Sequence, residues 1–414
     1  MAKRNKSNEH RKTQRTSQHG AQRSWGGSFR VALVATGAAA LIASAGFVAS
    51  AAISKPRGGP KTKKLLVSGR QLGPEGAGAT TTVPSTTTTS APPLPYVASV
   101  SPLSGATGVA AMTPITITLS APPAPGSPMP ELSPPAEGTW SVSGTVLTFT
   151  PSKPLAPWTE EHVTVPVTLA QADQWSYTVE GVQLLRIQQV LAELHYLPLR
   201  FGPSVTQSAL DAEPTVASEV PTAPQPGEFT WRYADIPASL AASWAPGSET
   251  VLTQGAVMMF ENEQGLTVDG IAGPAVWTAL TKAVAARSLD PNPYDYLMVS
   301  ESLPENLTVW RDGQDIYSSP ANTGVNGANT PLGTWPVYEH IQSSTMTGTD
   351  VDGYRYNDPD VPWVAYFYEG DAVHGYPRAS YGYPQSNGCV ELPIANAQQV
   401  WPMDPIGTLV TVAS

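Results

Sequence analysis

Proline sets the limits on what this chain can fold into. The 414 residues include 42 prolines and 35 glycines. Proline inside a helix removes a hydrogen bond and clashes with the preceding turn, so one long helical bundle is excluded. Between the prolines run short alternating or β-branched stretches bounded by turn residues, the pattern of β-rich domains joined by irregular links. The length favours two or three domains. Only 14% of the residues are charged, and they are unevenly spread. Residues 1–70 hold 14 of the 23 Lys and Arg and a single acid, Glu9, which leaves 9 basic against 32 acidic residues in 71–414. An acidic body of this kind lacks the basic face that nucleic-acid binding needs, so no nucleic-acid partner is expected.

The basic tail has its own work. Residues 1–30 are polar and basic, and VALVATGAAALIASAGFVASAAI, residues 31–53, then runs for 23 residues without a charge. About 20 apolar residues in a helix cross a bilayer. Basic residues before such a span stay cytoplasmic, so everything after Ile53 is expected outside the cell membrane, in the wall or periplasmic space. The rival reading is a cleaved signal peptide, because Ala49-Ser50-Ala51 fits a small-x-small cleavage site; the protein would then be secreted. The long leader and long apolar run favour a retained anchor. Residues 54–95, with TTTVPSTTTTSAPPLP, form a Thr/Pro-rich disordered tether.

From 96 to 170 the pattern is an all-β sandwich. Ile115-Thr-Ile-Thr-Leu119 and Val146-Leu-Thr-Phe-Thr150 alternate, and His162-Val-Thr-Val-Pro-Val167 is β-branched. His162, alone in its strand, reads as a packing residue. The stretch VSPLSGATGVAAMTPITITLS, residues 100–120, resembles the opening of a bacterial Ig-like domain. Helical spacing follows at 182–194 and 255–265, and Pro274 opens a third helix at a favoured first position. The segment AVMMFENEQGLTVDGIAGPAVWTAL, residues 256–280, is similar to the second half of a three-helix peptidoglycan-binding module, and LLRIQQVLAELHYLPL looks like its first helix. The module is expected to occupy 180–287. A Pro-rich insert, 199–249, separates the halves and is expected to cover or reshape any binding groove.

The last domain, 292–414, reads as mostly β with one or two short helices. Asp312-Gly313 between 307–311 and 314–318 is a hairpin signal. The chain's only cysteine, Cys389, lies here in SNGCVEL, 15 residues after His374. Exported proteins usually pair their cysteines, so a lone thiol is either buried and inert or kept for its reactivity. A neighbouring imidazole could activate it. The residues alone leave both readings open, and Asn387-Gly388 could be a plain turn. Asp350, Asp352, Asp358 and Asp360 read as an acidic loop without calcium-loop spacing, so no metal is expected.

The stretch 329–411 resembles the L,D-transpeptidase catalytic domain (YkuD-like). TPLGTW, residues 330–335, is similar to its Thr-Pro-x-Gly motif. VHGYPRASYGYPQSNGCVELP, residues 373–393, resembles its signature of His-Gly, a short loop and Ser/Thr-His-Gly-Cys-aliphatic-Arg/Asn. The resemblance implies that Cys389 attacks the carbonyl between residues 3 and 4 of a peptidoglycan stem, with His374 as base and then acid. It implies that the Gly375 carbonyl orients His374, and that Gly388, Cys389, Asn387 and Ser386 surround the oxyanion and substrate. A thioester and a 3→3 cross-link would result, with no cofactor. Two positions depart from the family: Asn387 replaces a His, and Glu391 an Arg or Asn. If 389–391 is extended, Glu391 shares a face with Cys389 and is expected to raise the thiol pKa; it otherwise reads as a simple solvated charge ahead of a receiver of the acceptor amine. Tyr338, Trp363 and Tyr366 are candidates for the stem groove, or core aromatics; His340 is expected to be solvated. The reading is an anchored, exported L,D-transpeptidase. A wall-binding protein with a degenerate transferase domain and an L,D-carboxypeptidase are the alternatives.

Overall fold

The computed structural model describes residues 93–202 and 214–414. The basic tail, the apolar stretch 31–53 and nearly all of the tether lie outside the described residues. Among the described residues no helix is long and apolar enough to cross a membrane. The fold is mostly β with a small helical region.

The N-terminal part is two sheets face to face. Strands β1 (Val97–Ser101), β2 (Ile115–Leu119), β4 (Gly138–Ser143) and β5 (Val146–Pro151) pair in the order β1-β2-β5-β4. The second sheet is β3 (Glu131–Ser133), β6 (Glu160–Val165) and β7 (Asp173–Thr178). Alternation sends Ile115, Ile117, Leu147 and Phe149 inward to meet Val163, Val165, Trp175 and Tyr177. On β6 the inward set also includes Glu161, which puts His162 on the solvent side rather than in the packing.

The helical region carries α1 (Leu184–Glu193), α2 (Ala238–Ala242), α3 (Val251–Glu263) and α4 (Pro274–Ala286), with a two-stranded ribbon of β8 (Leu199–Gly202) and β9 (Glu228–Trp231). Thr250 caps α3 by accepting from the Thr253 N–H, and Pro274 begins α4. A cavity of about 580 Å³ lies between α1, α3 and the 269–272 loop. Among the described residues the insert contributes only its last residue, Glu249, to that lining. Its body packs elsewhere: Gln225 exchanges two hydrogen bonds with Gln189 of α1, and the Asp235 carbonyl accepts from Trp310 Nε1 of the last domain.

The C-terminal part is a second sandwich. Strands β10 (Asp295–Ser300), β11 (Asn306–Arg311), β12 (Gln314–Pro320), β13 (Gly333–Pro336) and β18 (Leu409–Ala413) pair in the order β12-β11-β10-β18-β13. Asp312 and Gly313 take positive φ of 50° and 100°, as a two-residue hairpin turn requires. The other sheet runs β14 (Glu339–Thr349), β15 (Arg355–Tyr368), β16 (Asp371–Gly375), β17 (Val390–Leu392). The 350–360 region is therefore not an acidic loop: Asp358 and Asp360 lie in β15, and Asp350 closes the hairpin tip by accepting from the Asp352 and Tyr354 N–H groups. Leu297, Val309 and Val412 meet Phe367, Val373 and Val390 between the sheets, with α5 (Ile394–Val400) closing one end. The opposite face of the five-stranded sheet presents Tyr296, Trp310 and Leu409 to the helices, so both its faces are buried.

Candidate active site

The site grows from the parallel pair β16 and β17. Val373 stands opposite Val390, His374 opposite Glu391 and Gly375 opposite Leu392. Val373, Val390 and Leu392 enter the core between the sheets. Alternation therefore turns His374 and Glu391 to the other face, with Ala372 and Cys389 two residues along on the same face. There Cys389 packs with Ala372, Val364, Tyr366 and Tyr376. The sequence brings nucleophile candidate and base candidate to one face because a two-residue step separates each from the rung of its partner.

His374 is 2% exposed, and its Nδ1 lies 3.1 Å from the Gly375 carbonyl oxygen. A carbonyl only accepts, so Nδ1 carries the proton and Nε2 holds the lone pair in the neutral ring. Burial lowers the imidazole pKa, against the raising influence of the Gly375 carbonyl and Glu391. Among the described residues no hydrogen bond joins His374 to Cys389. The Cys389 thiol points instead to the Gly370 carbonyl at 3.9 Å. Burial, then the Asp371 carboxylate, push the thiol up to about 12; the Ala372 N–H works against them and Glu391 adds to them.

The SNGC turn is held rigidly. Ser386, 2% exposed, donates to the Cys389 carbonyl at 2.6 Å and accepts from the Gly388 N–H at 3.2 Å. Gly388 thus has its amide occupied in this state. Thr330 of the TPLG stretch donates to the Gly388 carbonyl at 2.7 Å, which gives that stretch a place in the site. Gly388 has φ of +126°, and a Cβ there would meet Asp371 Oδ1 at 2.2 Å, so only glycine fits. The Asn387 side chain is exposed.

Glu391 is not a solvated charge. It is 4% exposed, and Arg378 grips it with Nε and Nη2, both at 2.7 Å. Asn322, itself fully buried, stands 3.4 Å away. Burying a carboxylate requires such a partner, and the loop between His374 and Cys389 supplies it. Tyr338 and Tyr366 do gather near the sulfur, joined by Tyr356, which the sequence did not single out. Trp363 does not; its ring tilts against Trp401, 5.8 Å away. His340 is not solvated either. Its ring stacks on Trp401 at 3.4 Å and its Nε2 reaches Asp404 Oδ1 at 3.1 Å. Asp371, like Tyr356 and Arg378, is a site residue that sequence reasoning missed. Its only signal is its place just after the Glu369-Gly370 turn.

Comparison with known proteins fits this geometry. Residues 295–412 match the family model of the L,D-transpeptidase catalytic domain, 91–180 that of a bacterial Ig-like domain and 247–280 that of a putative peptidoglycan binding domain. The chain thus resembles an L,D-transpeptidase with both accessory modules. No curated protein matches it. Similar solved structures include an L,D-transpeptidase from Mycobacterium smegmatis, 14% identical over 77% of this chain and 99% of that one, with a TM-score of 0.27. L,D-transpeptidase 3 from Mycobacterium tuberculosis, with a faropenem-derived adduct, is 16% identical over 77% and 98%, TM-score 0.27. The catalytic domain from E. faecium L,D-transpeptidase is 23% identical over 30% and 100%, TM-score 0.27. The assignment of the three parts rests on the family models.

Proposed function

We propose that the protein is a cysteine-dependent L,D-transpeptidase that cross-links peptidoglycan stems 3→3 through a thioester on Cys389. The observation that carries this reading is the His374 ring. Its Nδ1–H is given to the Gly375 carbonyl, and it shares a sheet face with Cys389, which lies two residues before the Glu391 that stands opposite it. Catalytic hydrogen bonds are often open before substrate binds, so the thiol contact to Gly370 is read as the resting state.

In this reading His374 Nε2 takes the thiol proton and the sulfur attacks the carbonyl between stem residues 3 and 4. The oxyanion is met by the Cys389 N–H, and by Gly388 if its amide leaves Ser386; the exposed Asn387 amide is a third donor. The tetrahedral centre expels the terminal residue, whose amine takes the proton from His374. An amine of a second stem then attacks the thioester, gives one proton to His374, and the thiolate recovers it as the amide forms. The helical module would hold the wall polymer. The apolar stretch 31–53 would tether the whole outside the membrane.

The raised thiol pKa and the missing Cys389–His374 bond favour, as a second reading, a wall-binding protein whose transferase domain no longer turns over. The full-length chain in detergent, incubated with a disaccharide-tetrapeptide, distinguishes these by mass spectrometry. Cross-linked dimer that vanishes in Cys389→Ala is expected. Shortened stems without dimer indicate an L,D-carboxypeptidase. Sacculus binding without any turnover overturns the enzyme reading.

A further inference from the structure

We propose that Arg378 holds the free carboxylate at the end of the donor stem and so selects which stems acylate Cys389. This rests on reading the site as a stem-peptide acyltransferase. Residues 292–414 contain three cationic side chains apart from histidine, Arg311, Arg355 and Arg378. Arg311 is committed to Asp295 through two hydrogen bonds of 2.6 Å on the five-stranded sheet. Arg355 opens β15 near the hairpin tip. Arg378 is the cation whose charge reaches His374.

Its fastening is one-sided. Nε and Nη2 hold the two Glu391 oxygens, and Nη2 also donates to the Gln385 carbonyl at 3.1 Å. The guanidinium lies 4.7 Å from the Tyr376 ring centroid, and that ring stands edge-on to His374 at 6.0 Å. Among the described residues Nη1 has no partner. The Arg378 side chain is 30% exposed against 5% for Glu391, so the carboxylate is the buried member of the pair and the arginine keeps access to solvent. Two N–H groups are thus left over on a guanidinium whose position is already fixed. Both sit on Nη1 and diverge, so they offer a carboxylate oxygen one charge-assisted hydrogen bond from a group that loses little further freedom on binding.

The location suits this ligand. The residue expelled from the donor carries the free carboxylate on the same residue as the amine that His374 must protonate. A receptor for that carboxylate has to stand beside His374. An anionic stem gains nothing from the acidic surface elsewhere, so the solvent-accessible Arg378 decides where the chain terminus rests.

The test compares a tetrapeptide donor bearing a C-terminal acid with the same donor as its amide, using the full-length protein and reading release of the terminal residue. The wild type should prefer the acid by about tenfold or more in kcat/KM, the effect of one charge-assisted pair. In the double variant Arg378→Gln/Glu391→Gln neither charge is left buried alone, and the preference should collapse towards one. Arg378→Lys should keep part of it. A purely structural role would lower both rates together and leave the ratio untouched. A wild-type ratio near one, or an unchanged ratio in the double variant, overturns the assignment while leaving the acyltransferase reading intact. No release from either donor and no mass gain on wild-type Cys389 overturns both.

Discussion

An ionised carboxylate beside a thiol makes the thiolate harder to form, and Cys389 has two such neighbours of different standing. Glu391 shares its charge with Arg378. Asp371 has no hydrogen-bond or ion-pair partner among the described residues, and it acts more strongly on the thiol than Glu391 does. Burial first, and then Glu369, lifts Asp371 itself to about 7. Above that pH its charge opposes thiolate formation; below it the opposition fades. Asp371→Asn should therefore speed iodoacetamide alkylation of Cys389 at pH 8 by roughly threefold to tenfold. Glu391→Gln, the change the sequence alone would suggest, should move the rate less. Equal rates for wild type and Asp371→Asn would show that the thiol is controlled by burial alone.

At the scale of elements, what was legible followed from period and punctuation. Ile115–Leu119, the Asp312-Gly313 turn and the helix opening at Pro274 declare themselves through alternation, turn chemistry and a first-turn proline. Strand β14 does not, because EHIQSSTMTGT has few apolar residues and is held by its ladder to β15. The Arg378–Glu391 clamp was illegible for another reason: residues 13 apart meet only through the path of a loop. His374 and Cys389 were legible as residues, but their shared face depends on a register that sequence does not display. The junction of α3 with β18 is of the same kind. A Cβ on Gly255 would lie 2.5 Å from the Gly407 carbonyl oxygen and 2.9 Å from Leu409 Cδ2. Alanine favours a helix over glycine by about 1 kcal/mol, yet a backbone oxygen cannot step aside. Gly255→Ala should cost a net ~1–3 kcal/mol and lower the thermal midpoint. A raised midpoint would mean the helix lifts off the sheet without penalty.

At the scale of the whole molecule, burial of carboxylates sets a common response to pH. Glu261 is raised to about 7, Asp290 and Asp404 to about 6 and Asp371 to about 7, in each case with burial as the leading cause. Glu161, Asp295 and Glu301 shift in the same direction. These groups lie in the first sandwich, the helical region and the last sandwich alike. A carboxylate whose folded pKa exceeds its unfolded value binds more protons when folded. The stability it contributes is complete below about pH 4 and is lost as pH rises through its folded value, here towards about 7. His195 and His374 are lowered by burial and act oppositely, withdrawing stability as pH falls below about 6.5. In the window from pH 5.5 to 7.5, the four carboxylates with folded values of about 6 to 7 outnumber the two imidazoles and fix the net sign. The main thermal transition should occur higher at pH 5.5 than at pH 7.5, by ~2–5 °C for a chain of this size. Because one apolar cluster runs from α1 through α3 and α4 to Tyr296, Trp310 and Leu409, the helical region and the last sandwich should shift together in that scan. A midpoint that climbs from pH 5.5 to 7.5 would mean the buried acids are solvated in the folded chain, and the Asp371 control of the thiol would fall with it.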